Sequence, residues 1–82
     1  MKIKQLEWFE FADRYKNRPS RYESKPFFDT FYEIVPTNQF YDVYIYTREG
    51  QIMIGAVCTI DTAKFVAQRN FEHFIMEYIE ND

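Results

Sequence analysis

The sequence predicts an α+β fold, in which an antiparallel β-meander of three to four strands carries one C-terminal helix packed on one face. Three observations predict it. Residues 40–47 alternate between two sets of strand-forming side chains. Turn-forming residues separate this segment from strand-like segments on either side. Between Ile60 and Glu80, apolar residues recur at helical spacing. Because 82 residues suffice for one small core, we treat 1–82 as a single domain.

The N-terminal part is expected to form one short strand and then a long loop. The strand is expected to contain five apolar residues, Ile3, Leu6, Trp8, Phe9 and Phe11. Trp8 is expected to lie under the helix. Residues 12–25 lack an apolar period and include Pro19, which is typical of a loop.

Two further strands are predicted in the middle of the chain. Residues 27–35 are strand formers, and Pro36-Thr37-Asn38 ends them with turn-forming residues. In residues 40–47, the set that includes Asp42 would be costly to bury, so the other set is expected to face the helix. That set is Tyr41, Val43, Ile45 and Thr47.

The last strand is predicted at 51–58, after a hairpin turn in which Gly50 supplies a positive φ. Ile52, Ile54 and Ala56 are expected to share one face of it. Gly55 indicates a bulge or close packing beneath the helix. Cys58 is expected to be a small buried residue.

The helix is predicted at about 60–80, with Thr59 as its N-cap and Asp61 in its first turn. Its core stripe is expected to be Ile60, Ala63, Ala67, Phe71, Phe74 and Tyr78.

Composition argues against an enzyme and for a binding module. One Trp, seven Tyr and nine Phe make 17 aromatic residues, against one His, one Cys and two Gly. Aromatic side chains supply contact area, whereas His, Cys and glycine-rich turns supply most catalysis and metal binding. His73 with Glu77 offers two metal ligands, which is too few. We expect no catalytic residues, no metal and no cofactor.

Charge is unevenly distributed along the chain, although the net charge is only −3. Residues 1–25 hold seven basic and four acidic groups, a net of +3, whereas residues 26–82 hold three and nine, a net of −6.

No segment is apolar enough to span a membrane, and the polar N-terminus is unlike a secretory signal. A lone cysteine suggests a reducing compartment, so a cytoplasmic location is expected.

Three surfaces are candidates for partner binding. The first is the basic segment 14–25, whose expected contacts are Arg14, Tyr15, Arg18, Arg21 and Tyr22. Arginine and tyrosine are common anchors in protein interfaces, and they also grip phosphates and stack on bases. A solvated loop is the alternative. The second is an aromatic row on the sheet, Phe40, Tyr44 and Tyr46, which would otherwise pack under the loop. The third is the outer side of the helix, where Phe65 and Met76 would support a partner contact or a homodimer.

Three motifs resemble a family of small uncharacterised phage and prophage proteins. Their first strand contains Leu-Glu-Trp, which matches Leu6-Glu7-Trp8. A Pro-Phe segment leads to Tyr-x-Ile, as Pro26-Phe27 leads to Tyr32-Glu33-Ile34. Their C-terminal helix begins with Ala-Lys-x-x-Ala-Gln, which matches residues 63–68. The resemblance implies a meander-plus-helix fold and a location in the host cytoplasm.

The sequence thus leads to two hypotheses of function. The first is a small non-enzymatic phage-type protein that occupies a host protein or defence complex, such as an anti-CRISPR inhibitor. The alternative is a small nucleic-acid-binding regulator that uses the basic 14–25 loop.

Overall fold

Five strands and one helix make up the fold in the computed structural model, which describes residues 4–12, 19–27 and 29–80, without the side chains of Phe27 and of residues 76–80. The elements are β1 (Phe9–Phe11), β2 (Arg21–Phe27), β3 (Thr30–Pro36), β4 (Tyr41–Thr47), β5 (Gly50–Val57) and α1 (Ile60–Glu80). The strands form one sheet in chain order, and each pairs antiparallel with the next. The predicted α+β meander is confirmed, with five strands where three to four were expected.

The two faces of the sheet have different roles, because alternate residues of a strand point to opposite sides. Ile34 of β3 lies opposite Val43 of β4, and Tyr32 lies opposite Ile45. All four are buried and form the centre of the core, together with Ala63, Ala67 and Phe71 of α1. The prediction that Val43 and Ile45 face the helix is therefore confirmed.

Helix α1 begins at Ile60, after the predicted cap. The backbone N–H of Thr62 donates to Oγ1 of Thr59 at 3.1 Å, which satisfies one of the free donors of the first turn. The helix then crosses the sheet from β5 to β3. Val66 lies over Gly55, and farther along Asn70 bonds to Tyr32. Since Ala63 and Ala67 are small and fully buried, α1 can approach the sheet closely.

Residues 4–8 lie beside the helix. The backbone N–H of Leu6 donates to Oε1 of Gln68 at 2.8 Å, and Nε2 of Gln68 donates to the carbonyl of Lys4. Leu6 is buried, and Trp8 is partly buried and packs against the core. The first strand itself is limited to Phe9–Phe11. Ile3, the first residue expected in it, lies outside the described residues.

Strand β2 corrects the loop predicted at 12–25, because Arg21–Lys25 belong to it. It also corrects the strand predicted at 27–35. That segment is divided by a turn at Asp29, so that β2 ends at Phe27 and β3 begins at Thr30. The register between β2 and β3 shifts between Ser24 and Phe27. This irregularity accommodates Pro26, which cannot donate a backbone hydrogen bond.

A bulge in β5 changes which residues share a face. Val43 lies opposite Gly55 and Tyr44 lies opposite Met53, so Ile54 is an extra residue on β5. Beyond it the alternation is reversed. Ile52 and Ile54 are on the helix side, but Ala56 is opposite Asp42 on the other face. The prediction that Ala56 shares their face is therefore wrong.

Both glycines of β5 have the roles that the sequence predicts. Gly50 has φ of 122°, a region that favours glycine. A Cβ on Gly55 would lie 3.2 Å from Cγ1 of Val66, so the residue provides both the bulge and the close approach of the helix. Cys58, by contrast, is exposed and not buried as expected, because it follows the end of β5 and precedes the helix cap.

Candidate functional site

The candidate site is the sheet face opposite the helix, which we call the open face. One row of cross-strand neighbours on it spans all five strands: Phe9, Glu23, Glu33, Tyr44 and Met53. The two ends of the row are apolar and exposed, with Phe9 at 59% and Met53 at 51% of full exposure. Because α1 packs on the other face, no described element covers this row.

The centre of the open face is a network of charged and polar groups built around Glu33. Nη1 of Arg21 lies 2.8 Å from Oε1 of Glu23 and 2.9 Å from Oε2 of Glu33. The hydroxyl of Tyr46 donates to Oε1 of Glu33 at 2.7 Å and accepts from Nε2 of Gln51 at 2.6 Å. Each carboxylate thus accepts a hydrogen bond from a charged or hydroxyl donor, which offsets the cost of placing both on a partly shielded surface.

These contacts shift the pKa values of the groups that make them. The hydrogen bond to Glu33, and secondarily burial, raises the pKa of Tyr46 to about 12, because ionisation of the phenol would place two anions together. The hydrogen bond to Glu23 is the largest cause that raises the pKa of Arg21. Tyr46 and Arg21 are therefore neutral and cationic, respectively, at any physiological pH.

Aromatic rings surround this network. The rings of Phe31 and Tyr46 stack with centroids 4.3 Å apart and planes within 6° of parallel. The guanidinium carbon of Arg21 is 4.8 Å from the centre of the Phe11 ring. Nζ of Lys25 is 5.7 Å from the centre of the Phe31 ring. These cation–π contacts hold the cations against the rings.

The residues that the sequence predicts for partner binding fall into separate places. Tyr44, Tyr46 and Arg21 come together on the open face. Tyr22 lies on the helix side, opposite Ile34, and packs against the core with Nζ of Lys64 4.9 Å from its ring centre. Its position one residue after Arg21 in a strand makes the two side chains point apart.

Phe65 is 62% exposed and lies on α1, away from the open face, so the structure separates the outer helix from the sheet candidate. Phe40 is exposed and precedes β4, in a turn closed by three hydrogen bonds between Thr37 and Phe40. The remaining expected contacts, Arg14, Tyr15 and Arg18, lie outside the described residues. So does the side chain of Met76.

Several residues of the open face were not predicted for it. The sequence pattern predicts only a strand for Phe9 and Phe11, and it predicts no surface role for Glu33, Phe31 or Met53. Alternation alone places Phe9 with Phe11, but it does not show that they are beside β2. The missing information was the register of β2, since Glu23 and Arg21 are the residues opposite Phe9 and Phe11.

The described residues contain no candidate metal centre. Among them, no three His, Cys, Asp or Glu side chains are grouped closely enough to hold a metal ion. In the same part of the chain, every buried side-chain nitrogen and oxygen has a hydrogen-bond partner. His73 is exposed on α1. No described helix is long and apolar enough to cross a membrane.

A scan of protein-family models gives no match to this chain, and searches of curated proteins and of solved structures give none either. What this chain binds is therefore inferred from the chemistry of the open face.

Proposed function

We propose that this chain is a non-enzymatic binding protein that docks a partner protein on the open face of its sheet. One observation carries the proposal: the row from Phe9 to Met53 has exposed apolar ends and a centre whose charges are already paired. Interfaces are rich in aromatic residues and arginine and poor in unpaired charge at their centre. The open face has this composition.

The charge of the open face favours a protein over a nucleic acid. Its described charged residues are two cations and three anions, a net of −1: Arg21, Lys25, Glu23, Glu33 and Asp42. The guanidinium of Arg21 is bound to two carboxylates, so a phosphate would have to compete with both. Binding of nucleic acid depends on free cations that neutralise phosphates. The nucleic-acid alternative would need the basic residues of 14–18, which are outside the described part.

The resemblance to phage and prophage proteins supports a class of partner. We propose that the partner is a host protein or a host defence complex in the cytoplasm, and that this chain acts by occupying it. Inhibition then follows from masking the surface that the host protein uses.

The proposal is tested by capture from bacterial lysate with tagged variants, with and without nuclease. Phe11→Ala and Tyr44→Ala each remove an open-face ring, whereas Phe65→Ala removes an exposed ring from the outer helix and is the matched control. We expect one host protein to be retained after nuclease, with affinity reduced about 30-fold or more by an open-face substitution that removes a hot spot of about 2 kcal/mol.

Three outcomes would contradict the proposal. Capture that nuclease abolishes would favour the nucleic-acid alternative. Loss with Phe65→Ala but not with the open-face variants would assign binding to the helix. Equal retention by all three variants would exclude the open face. All three side chains are at least partly exposed, so we expect each variant to keep its fold. Circular dichroism of each variant checks this.

A further inference from the structure

Strand β5 is a long edge strand without the usual protection against pairing. It has eight residues, Gly50–Val57, and none is charged or proline. Edge strands of monomeric proteins commonly carry lysine, proline or inward-pointing charge, because their free backbone groups otherwise pair with another strand. The opposite edge, β1, is three residues long and has Glu10 at its centre. Only β5 therefore offers an extended, uncharged edge within the described sheet.

Ile52 is an apolar residue on the helix side of the sheet, but its side chain is exposed. It lies opposite Ile45, which is buried in the core, yet Ile52 itself is 56% exposed. The path of α1 explains this. The helix passes over Gly55 and moves towards β3, so the corner of the sheet at Ile52 is left uncovered. Met53, its neighbour on the open face, is also exposed.

We propose that β5 pairs with β5 of a second copy of this chain, antiparallel and about a two-fold axis at Ile52. An axis perpendicular to the sheet keeps both helices on one side. Since directly opposed residues of an antiparallel pair point to the same face, this axis must lie midway between the two copies of a residue that opposes itself. The regular part of β5 extends from the turn before Gly50 to the bulge at Ile54, and its midpoint is Ile52.

This register pairs each residue of 50–54 with an uncharged neighbour. Ile52 opposes Ile52 of the second copy on the helix side, where the two uncovered corners bury each other. Gln51 opposes Met53 on the open face, and Gly50 opposes Ile54. A strand that pairs with itself can bring like charges together, which is destabilising. In this register no like charges meet. The second copy supplies an uncharged edge of the same length.

The inference is independent of the proposed function, and it has a direct test in the mass of the purified protein in solution. We expect sedimentation velocity to give twice the monomer mass of 10.1 kDa for the wild type. Ile52→Lys should give the monomer mass, because a lysine on the axis would face another lysine. Phe65→Lys, which places the same charge at an equally exposed apolar residue of α1, should remain a dimer.

A second arm does not depend on a disruptive substitution. Ile52→Cys, combined with Cys58→Ser, should form a disulfide-linked dimer under mild oxidation, because the residue on the axis faces its own copy at about 5 Å. Cys58 of the wild type should not cross-link, since it is six residues from the axis and its copies would be about 40 Å apart. A wild-type monomer would overturn the proposal. So would a dimer that Phe65→Lys dissociates, or cross-linking through Cys58 and not through position 52.

Discussion

The hydroxyl of Tyr32 donates a 2.7 Å hydrogen bond to Oδ1 of Asn70 and so joins the middle strand of the sheet to the helix. Tyr32 has no exposed surface, and its ring meets the ring of Phe71 edge to face, with centroids 6.5 Å apart. The same side chain thus packs against the helix with its ring and fixes the position of the helix with its hydroxyl. The crossing of α1 over the sheet depends on this contact.

Removing the hydroxyl should destabilise the protein without opening a large cavity. Tyr32→Phe leaves Oδ1 of Asn70 without its donor in a partly buried position, so we expect the free energy of unfolding to fall by about 1–3 kcal/mol. Urea denaturation of Tyr32→Phe, Asn70→Ala and the double variant measures the coupling between the two residues. Tyr44→Phe is the control, since its hydroxyl makes only a 3.4 Å contact with Asp42. Additive effects of the two substitutions would contradict the link.

Stability should also fall at high pH, because the phenol of Tyr32 is buried. Burial raises the pKa of Tyr32 to about 12, against an ordinary value of 10.0. Between these two values the unfolded chain releases the phenolic proton and the folded protein keeps it, so this contribution to stability is complete below pH 10 and is lost as the pH rises to 12. The loss attributable to Tyr32 is about 1.4 kcal/mol per pH unit at most. Urea midpoints measured from pH 9 to 12 should fall less steeply for Tyr32→Phe than for the wild type, and equal slopes would contradict the assignment.

The contact between Gly55 and Val66 should be sensitive to added volume. A Cβ at position 55 would be 3.2 Å from Cγ1 of Val66, so Gly55→Val must push the helix away from β5 or force Val66 from its rotamer. We expect a loss of about 1–3 kcal/mol in the free energy of unfolding. Val66→Ala in the same chain should restore part of that loss by making space. If the double variant is less stable than the sum of the two single effects predicts, steric contact is not the cause.

Removing the N-cap of α1 should cause a smaller loss of stability. Thr59→Ala removes the acceptor of the Thr62 backbone N–H, and the expected loss is about 1 kcal/mol. Thr62→Ala is the matched control, because its hydroxyl contacts only the hydroxyl of Thr59 among the hydrogen bonds described for it. Thermal unfolding followed by circular dichroism should show a larger decrease in midpoint for Thr59→Ala. A larger decrease for Thr62→Ala would show that the cap is not the stabilising contact.

The elements with strong local sequence patterns could be predicted from the sequence alone. Strand β4 alternates without interruption, and α1 combines an N-cap at Thr59 with small residues on its core stripe. Gly50 and Gly55 were informative because the positive φ of Gly50 and the close approach of the helix to Gly55 both disfavour a larger residue. These parts of the fold depend on residues within a few positions of one another, which a single sequence displays directly.

The parts that were missed depend on partners distant in sequence. In β2, Arg21 and Glu23 alternate with Tyr22 and Ser24, so residues 21–25 show no apolar period. Ser24 is nevertheless fully buried in the sheet. Its strand character comes from pairing with β1 and β3 and not from its own hydrophobicity. The open face follows from these pairings, which is why the sequence showed Tyr44 and Tyr46 but not the row that begins at Phe9.

The five strands are not equally secured to the helix. The backbone of α1 approaches β3, β4 and β5, whereas β1 has three residues and pairs with β2 alone. Amide hydrogens exchange with solvent at rates set by local opening, and local opening is easiest where few buried contacts are lost. The amides of β1 should therefore exchange first and those of β3 and β4 last. A partner that docks on Phe9 and Phe11 would slow the exchange of β1 most, so deuterium uptake locates the bound surface without any substitution in the protein.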